Sequence, residues 1–154
     1  MADLELGSSL ERSFLIVDDS QGFLELIESF VQRNYPGARV DVASTGEEAL
    51  RKLSRQSWSV VLLDYLLPDF DGVEVLAEVR KRKIDTAVIM VTGEGDERLA
   101  ADLFRMGAYD YLVKSGIDPA SLRRTLDQVL MRRDMEQQIV SRSDELADSS
   151  RQLE

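Results

Sequence analysis

The sequence contains no cysteine and no histidine among its 154 residues. Without cysteine the chain cannot form disulfides, thiolate nucleophiles or cysteine-based metal sites, and this composition fits a reducing cytoplasm. Without histidine it has no Ser-His-Asp triad, no imidazole zinc ligand and no phosphohistidine of its own. The chemistry that remains is that of carboxylates, hydroxyls and amines.

Long apolar runs and an excess of basic residues are also lacking. No run approaches the roughly 20 apolar residues that span a bilayer, and the start of the chain lacks the cationic and apolar regions of a targeting segment. A formal net charge of -10 argues against a general nucleic-acid or anionic-membrane surface, because such partners require a basic footprint. We therefore expect a cytoplasmic protein that binds neither nucleic acid nor membrane.

Five short apolar runs alternate with segments whose apolar residues recur at helical spacing. Thr45 with Glu48 forms a possible capping box, and Asp118 followed by Pro119 predicts the start of a fifth helix. This alternation predicts an α/β doubly wound domain with a parallel sheet, although periodicity alone leaves the strand order open. The predicted strands are residues 14–17, 39–43, 59–63, 86–91 and 109–113.

Polar side chains follow four of these strands. Taken singly, each is more often a capping, turn or solvated residue than a functional one. Open parallel sheets, however, bind ligands outside the carboxyl ends of their strands, so the four ends should converge on one crevice. The residues are Asp18 and Asp19, Asp64, Thr92, and Lys114.

Three carboxylates in that crevice would require a cation. At about 5 Å and an effective dielectric constant of about 20, each pair repels by roughly 3 kcal/mol. Oxygen ligands of this kind suit Mg²⁺, which accepts one or two carboxylates and a phosphate oxygen. Lys114 would add a second positive charge, and Thr92 a hydroxyl donor.

Together these residues resemble the receiver domain of two-component response regulators, over about Phe14 to Leu130. The resemblance implies a flavodoxin-like (βα)5 fold with sheet order 2-1-3-4-5 and, here, an extended C-terminal helix. It rests on Asp18-Asp19, Asp64, Leu67-Pro68, Asp71-Gly72, Thr92, the string from Gly107 to Leu112, and Lys114.

The resemblance also implies a phosphoacceptor site. Asp64 would take a phosphoryl group from the phosphohistidine of a sensor histidine kinase or a histidine phosphotransfer protein. Mg²⁺, or Mn²⁺, would be bound directly by Asp19, Asp64 and the backbone carbonyl of Leu66, and by Asp18 through water. Lys114 would pair with Asp64 and then with the phosphoryl oxygens.

A switch is implied as well. Thr92 would move toward the phosphoryl oxygens and Tyr111 would swing inward behind it, which would change the surface of the fourth helix, fifth strand and fifth helix. The resemblance also implies that Leu66 and Glu94 occupy positions that, in the family, tune dephosphorylation by water, and an apolar Leu66 would hinder or redirect that water. The chain itself would be a signalling phosphoacceptor rather than an enzyme.

Two positions depart from the family pattern. Ser115 stands where a proline, often in a cis bond, usually follows the lysine, and a cis bond to a non-proline residue costs about 2.5–4 kcal/mol. Either the Lys114-Ser115 bond is trans and Lys114 takes a position different from that in the family, or the bond is cis and the rest of the fold compensates for its strain. Gly93 stands where alanine is usual after the threonine.

Three rival functions follow from the same residues. A receiver-like interaction module that never takes phosphate usually lacks one of the acids or the lysine, and none is missing here. A haloacid dehalogenase type of phosphatase needs a second aspartate two residues after its nucleophile, where Asp18 has Ser20 and Asp64 has Leu66. A dinucleotide-binding loop at Gly93 lacks its third glycine.

The chain divides into a flexible N-terminus (1–12), a receiver domain (13–131) and a C-terminal helical extension (132–154). Ile139, Leu146 and Leu153 are one heptad apart, but the positions between them are mixed, so a coiled coil and a frayed tail both remain possible. A homodimer could form through this helix or through the face of helix 4, strand 5 and helix 5. We expect the chain to be the front piece of a longer protein, with a stand-alone receiver as the alternative.

Overall fold

The computed structural model describes residues 12–95 and 97–153, with side chains as far as residue 147. The predicted flexible N-terminus therefore lies outside the described residues except for Arg12. Among the described helices, none is both long enough and apolar enough to cross a bilayer.

The five predicted strands form one parallel sheet. Its order is β2-β1-β3-β4-β5, which is the order that the family resemblance implied and that periodicity could not supply. Each boundary lies within one residue of its predicted place, a difference that is ordinary for strand ends. The strands are β1 (Ser13–Val17), β2 (Arg39–Ala43), β3 (Val60–Asp64), β4 (Ala87–Thr92) and β5 (Asp110–Val113).

A helix follows each strand, and side chains of the described residues cap three of the five, of which the caps at Thr45 and Asp118 are the predicted ones. Ser20 and Thr45 accept hydrogen bonds from the backbone N–H three residues on, and Asp118 accepts one from Ser121. Gly107, shortly after the end of the fourth helix, has a φ of 105°, a left-handed conformation that favours glycine. The helices are α1 (Gln21–Asn34), α2 (Gly46–Arg55), α3 (Gly72–Lys81), α4 (Glu97–Arg105) and α5 (Pro119–Leu153), with a 3-10 turn at Lys114–Gly116 before α5.

Alternate residues along the strands belong to two separate hydrophobic cores, one on each face of the sheet. Leu15, Val61 and Met90 point to one face, where α2, α3 and α4 cover them together with Trp58. Phe14, Leu62 and Ile89 point to the other face, which α1 and α5 cover. Because β1, β3 and β4 are buried on both faces, they are continuous apolar runs rather than alternating ones.

The turn from β3 into α3 brings two backbone segments unusually close. A Cβ atom on Gly72 would lie 2.3 Å from the carbonyl oxygen of Asp64 and 3.0 Å from the methyl carbon of Met90. The Gly72 N–H donates to the Tyr65 carbonyl at 2.8 Å. This contact fixes the backbone directly behind the carboxylate of Asp64.

Helix α5 remains attached to the domain beyond Leu130, the last buried apolar residue among the side chains that the structure describes. We call residues 132–137 the docked segment. Arg133 donates to the Asp85 carbonyl at 2.9 Å and lies 3.4 Å from its carboxylate. Asp134 accepts two hydrogen bonds from Arg12, and Glu136 accepts one from the Tyr109 hydroxyl at 2.5 Å. These partners precede β1, β4 and β5, so the docked segment lies at the end of the sheet opposite the carboxyl ends of its strands.

Gly72→Ala should lower the free energy of unfolding by about 1–3 kcal/mol, because the added methyl overlaps a backbone oxygen that cannot move cheaply. Urea unfolding followed by circular dichroism measures the change. Gly22→Ala is the matched control, since a Cβ there meets nothing within 4 Å and alanine favours the helix. Equal stability of the two variants would contradict the close approach of Gly72 to the Asp64 carbonyl.

The docked segment makes a second prediction. A chain that ends at Met131 should be less stable than the native chain by about 2 kcal/mol, because the contacts of Arg133, Asp134 and Glu136 are lost. A chain that ends at Gln137 keeps them and should unfold at the native urea concentration. If both truncations unfold alike, residues 132–137 do not belong to the folded domain.

Candidate functional site

Three carboxylates meet at the carboxyl edge of the sheet. Asp18 and Asp19 follow β1 and Asp64 ends β3, and these strands are neighbours that pair Val17 with Leu63. Each residue offers an oxygen atom within 4.8 Å of the other two. Asp18 and Asp64 are only 2% and 5% exposed, whereas Asp19 is exposed. The strand order thus brings together the three acids that the sequence singled out.

Asp18 is held rigidly in this cluster. Its backbone N–H donates to the Ala43 carbonyl on β2 at 3.0 Å. One oxygen of its carboxylate accepts the Ser20 N–H at 2.8 Å, and the other lies 2.7 Å from the Lys114 ammonium. The first turn of α1 therefore supports the site, since Ser20 also caps that helix.

Lys114 reaches the cluster from the end of β5. Its ammonium lies 2.7 Å from Asp18 and 3.3 Å from Asp64, so it contacts both buried acids and is nearer to Asp18. The Lys114-Ser115 bond is trans, since the described residues contain no cis peptide bond. Ser115 instead continues a 3-10 turn, which answers the question that its substitution for proline raised.

Burial dominates the protonation of Asp64. The pKa of this carboxyl is raised from 3.8 to about 6, first by burial and then by the nearby Asp18 charge, while the Lys114 charge acts in the opposite direction. Burial acts to lower the pKa of Lys114, but its hydrogen bonds to Asp18 and Asp64 and their charges outweigh this and raise it. The Lys114 ammonium therefore compensates only part of the repulsion among the carboxylates of Asp18, Asp19 and Asp64.

Thr92 and Glu94 lie on the loop after β4. The Thr92 hydroxyl is buried and donates to the Glu94 carbonyl at 3.0 Å, so in this state it is bound to its own loop. The Glu94 side chain is exposed. Gly95 follows Glu94 in the same loop, three residues after Thr92. A Cβ atom on Gly95 would lie 2.8 Å from the Tyr111 hydroxyl.

Tyr111 is half-buried and packs against the core on the α2, α3 and α4 face. Its hydroxyl lies over Gly95, so the loop that carries Thr92 touches the ring of the predicted switch residue. The structure thus places Thr92 and Tyr111 in contact with one loop.

Leu66 contributes through its backbone. Its N–H donates to a carboxylate oxygen of Asp64 at 3.3 Å, and its side chain is 64% exposed. Its predicted role as a carbonyl ligand stays a prediction, as does the tuning role given to its side chain and to Glu94.

Phe23 is a part of the site that the sequence did not indicate. The Lys114 ammonium lies 4.5 Å from the centre of its ring, a cation–π contact. In the sequence Phe23 is simply one member of the apolar pattern of α1. Only the tertiary structure brings the start of α1 close to Lys114 at the end of β5, and no local signal could have found this second contact.

The donor set fits a hard divalent cation. Asp18, Asp19 and Asp64 carry three negative charges when ionised and Lys114 carries one positive charge, so the cluster retains a surplus of two negative charges. All the side-chain donors are carboxylate oxygens, as Mg²⁺ prefers. Burial of two of the acids makes this uncompensated charge more costly than it would be on the surface.

Asp64→Asn should raise the free energy of unfolding by about 2 kcal/mol near pH 7 when Mg²⁺ is chelated. An acid whose pKa rises on folding contributes stability below its unfolded value of 3.8, and that stability is lost as the pH rises through about 6. The advantage of the variant should therefore shrink toward zero near pH 4. Urea unfolding of the native chain and the variant between pH 4 and about pH 7 measures this difference, with the exposed Asp71→Asn as control. A gain in stability that does not depend on pH would contradict the view that the buried negative charge of Asp64 destabilises the fold.

Comparison with known proteins places this site in a family. The family model described as response regulator receiver domain matches residues 14–127. The transcriptional regulatory protein ResD of Bacillus subtilis is 35% identical over 105 residues, and SrrA of Staphylococcus aureus is 33% identical over 105 residues. Each alignment covers 68% of this chain and 42% of the relative, so the chain spans less than half the length of these curated relatives.

Solved structures agree with the fold. The signal receiver domain of a putative Luxo repressor protein from Vibrio parahaemolyticus has a TM-score of 0.78 at 29% identity, covering 84% of this chain and 98% of that chain. The response regulator protein TrrA from Thermotoga maritima, solved in complex with Mg(2+)-BeF, has a TM-score of 0.68 at 32% identity, covering 77% and 99%. With its sheet order and its acidic strand ends, this chain belongs to the response regulator receiver domain family.

Proposed function

We propose that this receiver domain is an active phosphoacceptor and that Asp64 takes the phosphoryl group. The observation that carries the proposal is the position of Asp64, buried at the end of β3, beside two further acids and 3.3 Å from Lys114. A receiver-like module that only binds partners has no need to bury these repelling charges together.

The chemistry is a transfer of one phosphoryl group between two proteins. A carboxylate oxygen of Asp64 attacks the phosphorus, the new P–O bond forms, and the P–N bond to the donor imidazole breaks. The imidazole leaves with the bonding electron pair and takes up a proton. The donor histidine lies outside these 154 residues, which contain none, and we propose that a sensor histidine kinase or a histidine phosphotransfer protein supplies it.

Receiver domains bind Mg²⁺ at an acidic pocket, and the three carboxylates here fit that role. Asp18, Asp19 and Asp64 would hold the ion together with the backbone carbonyl of Leu66. When bound, the ion neutralises carboxylate charge and the charge on the phosphoryl oxygens. The exposed position of Asp19 leaves the cluster open to solvent on one side, from which a phosphodonor can approach.

Lys114 is the fixed cation of the site. Its contacts with Asp18 and Asp64 hold its ammonium where the oxygens of a phosphoryl group on Asp64 would lie close to it. The Phe23 ring limits where the side chain can move. Lys114 would then exchange its contact with Asp64 for one with the new, more highly charged group.

Thr92 and Tyr111 would convert that charge into a change of shape. For Thr92 to donate to a phosphoryl oxygen, its hydrogen bond to Glu94 must break. Movement of that loop would displace Gly95, against which the Tyr111 hydroxyl packs. The result would be a rearranged surface on α4, β5 and α5, which is the output face of the proposal.

Dephosphorylation would be tuned at the rim of the site. The side chains of Leu66 and Glu94 are both exposed, two residues beyond Asp64 and Thr92 respectively. An apolar side chain at Leu66 offers no hydrogen bond to an attacking water. ResD and SrrA, which are longer than this chain, are named transcriptional regulatory proteins. An output of that kind would belong to a further domain of a longer protein.

The native chain, given Mg²⁺ and a small phosphodonor such as acetyl phosphate, should gain one phosphoryl group, detected by intact mass. Asp64→Asn should gain none, because the nucleophile is removed, whereas the exposed Asp71→Asn should react like the native chain. Chelating Mg²⁺ should abolish the reaction. An unchanged mass of the native chain would favour the phosphorylation-independent interaction module instead.

A further inference from the structure

The loop between β3 and α3, residues 65–71, is tied to a helix that is not adjacent to it in the chain. The Asp69 carboxylate accepts the Gly46 N–H with one oxygen and the Glu47 N–H with the other, both at 2.9 Å. These two residues begin α2 and lie 23 and 22 positions before Asp69. The loop that leaves the carboxylate of Asp64 is therefore bound at its middle to the N-terminus of α2.

Asp69 completes the hydrogen bonds at the start of α2. The first N–H groups of a helix have no partner within the helix and need one from elsewhere. Thr45 accepts the Glu48 N–H at 3.1 Å. Asp69 accepts the two N–H groups that precede it, and a carboxylate is favoured there because a helix N-terminus carries partial positive charge. The Asp69 contact thus joins two elements, whereas the Thr45 cap is local to one.

Phe70 adds an apolar contact beside Asp69. Its ring lies against Gly46, where an added Cβ atom would be 2.4 Å from the nearest ring carbon, and it packs on the core that α2 and α3 cover. Desolvation acts to raise the pKa of Asp69, but backbone N–H groups, chiefly those of Gly46 and Glu47, donate to it and lower the pKa. The carboxylate is therefore held in its charged form, which makes the stronger hydrogen bonds.

We propose that Asp69 is a positioning residue for the phosphorylation site, acting through the loop backbone on the carbonyl group of Leu66. This role rests on the proposed function, in which that carbonyl is a ligand of Mg²⁺. The Leu66 side chain is 64% exposed, and its N–H donates to Asp64 at 3.3 Å, longer than most hydrogen bonds of this kind. The backbone at Leu66 therefore depends on the contacts around it, and Asp69 supplies one of them three residues away.

Backbone hydrogen bonds fix the two ends of the same loop. The Tyr65 N–H donates to the Val91 carbonyl, and the Gly72 N–H donates to the Tyr65 carbonyl, both at 2.8 Å. Leu66 lies between these anchored ends, so the contact at Asp69 sets the path of the loop past it. Contacts that orient a metal ligand from outside typically change metal affinity by about 10- to 100-fold.

An ion bound to the Leu66 carbonyl would in turn act on α2. Coupling between two sites is reciprocal, so a contact that strengthens ion binding is itself strengthened by the ion by the same factor. The hydrogen bonds from Gly46 and Glu47 to Asp69 should therefore open less often when Mg²⁺ is bound. The Glu48 N–H, which donates to Thr45, lies next to them in the helix but outside this link.

Calorimetric titration with Mg²⁺ tests this role without any phosphodonor. Asp69→Ala should bind Mg²⁺ about tenfold more weakly than the native chain, because the loop loses its tie to α2. Thr45→Ala and Asp71→Asn should bind like the native chain. The first removes a cap from the same helix turn, and the second removes an exposed charge from the same loop. A loss of affinity in Asp69→Ala no larger than in Asp71→Asn would overturn the proposal.

Amide hydrogen exchange, followed by NMR on the native chain, supplies an independent measurement. Saturating Mg²⁺ should slow exchange at Gly46 and Glu47 by the same factor of about ten and leave Glu48 nearly unchanged. In Asp69→Ala this difference between the amides should vanish. Equal slowing at all three amides of the native chain would overturn the proposal and leave the proposed function standing, whereas a native chain that binds no Mg²⁺ would overturn both.

Discussion

The structure depends on one unfavourable arrangement, the burial of Asp18 and Asp64 side by side at the ends of neighbouring strands. The sheet order makes it unavoidable, because β1 and β3 are hydrogen-bonded neighbours in register. Lys114, from the far edge strand β5, supplies the compensating charge for both acids. A cluster that is still negative would favour a divalent cation, and in the proposed function this uncompensated charge would be the source of the affinity of the site for the ion.

Rigid supports hold this arrangement from two sides. Gly72 lets α3 begin against the carbonyl of Asp64, and Ser20 ties the Asp18 carboxylate to the start of α1. The loop after β4 is bound differently, because the Thr92 hydroxyl donates to the Glu94 carbonyl of the same loop. The contrast between fixed acids and a weakly held threonine is what a site needs if added charge is to move one element and leave the others in place.

Helix α5 serves two purposes along its length. Its first part completes the core through Leu122, Leu126 and Leu130, and the docked segment then continues the attachment with polar and aromatic contacts instead of apolar burial. Beyond that, the exposed residues form a surface and not a core. The docked segment contacts Tyr109, which precedes β5, and β5 leads to Tyr111 and Lys114 at the site. One strand therefore joins the two ends of the molecule.

The sequence by itself determined the local features: five strands as continuous apolar runs, capped helix starts at Thr45 and Asp118, and four polar residues at strand ends. These are set by neighbours in the chain, so periodicity and residue type are enough to find them. The strand order came only from family resemblance, because alternating elements fit several orders. Tertiary structure alone decided that Lys114 lies nearer to Asp18 than to Asp64, that Phe23 faces its ammonium, and that Arg133 meets Asp85. Each of these joins residues far apart in sequence, and such contacts leave no local pattern because either partner would look ordinary on an exposed helix or loop.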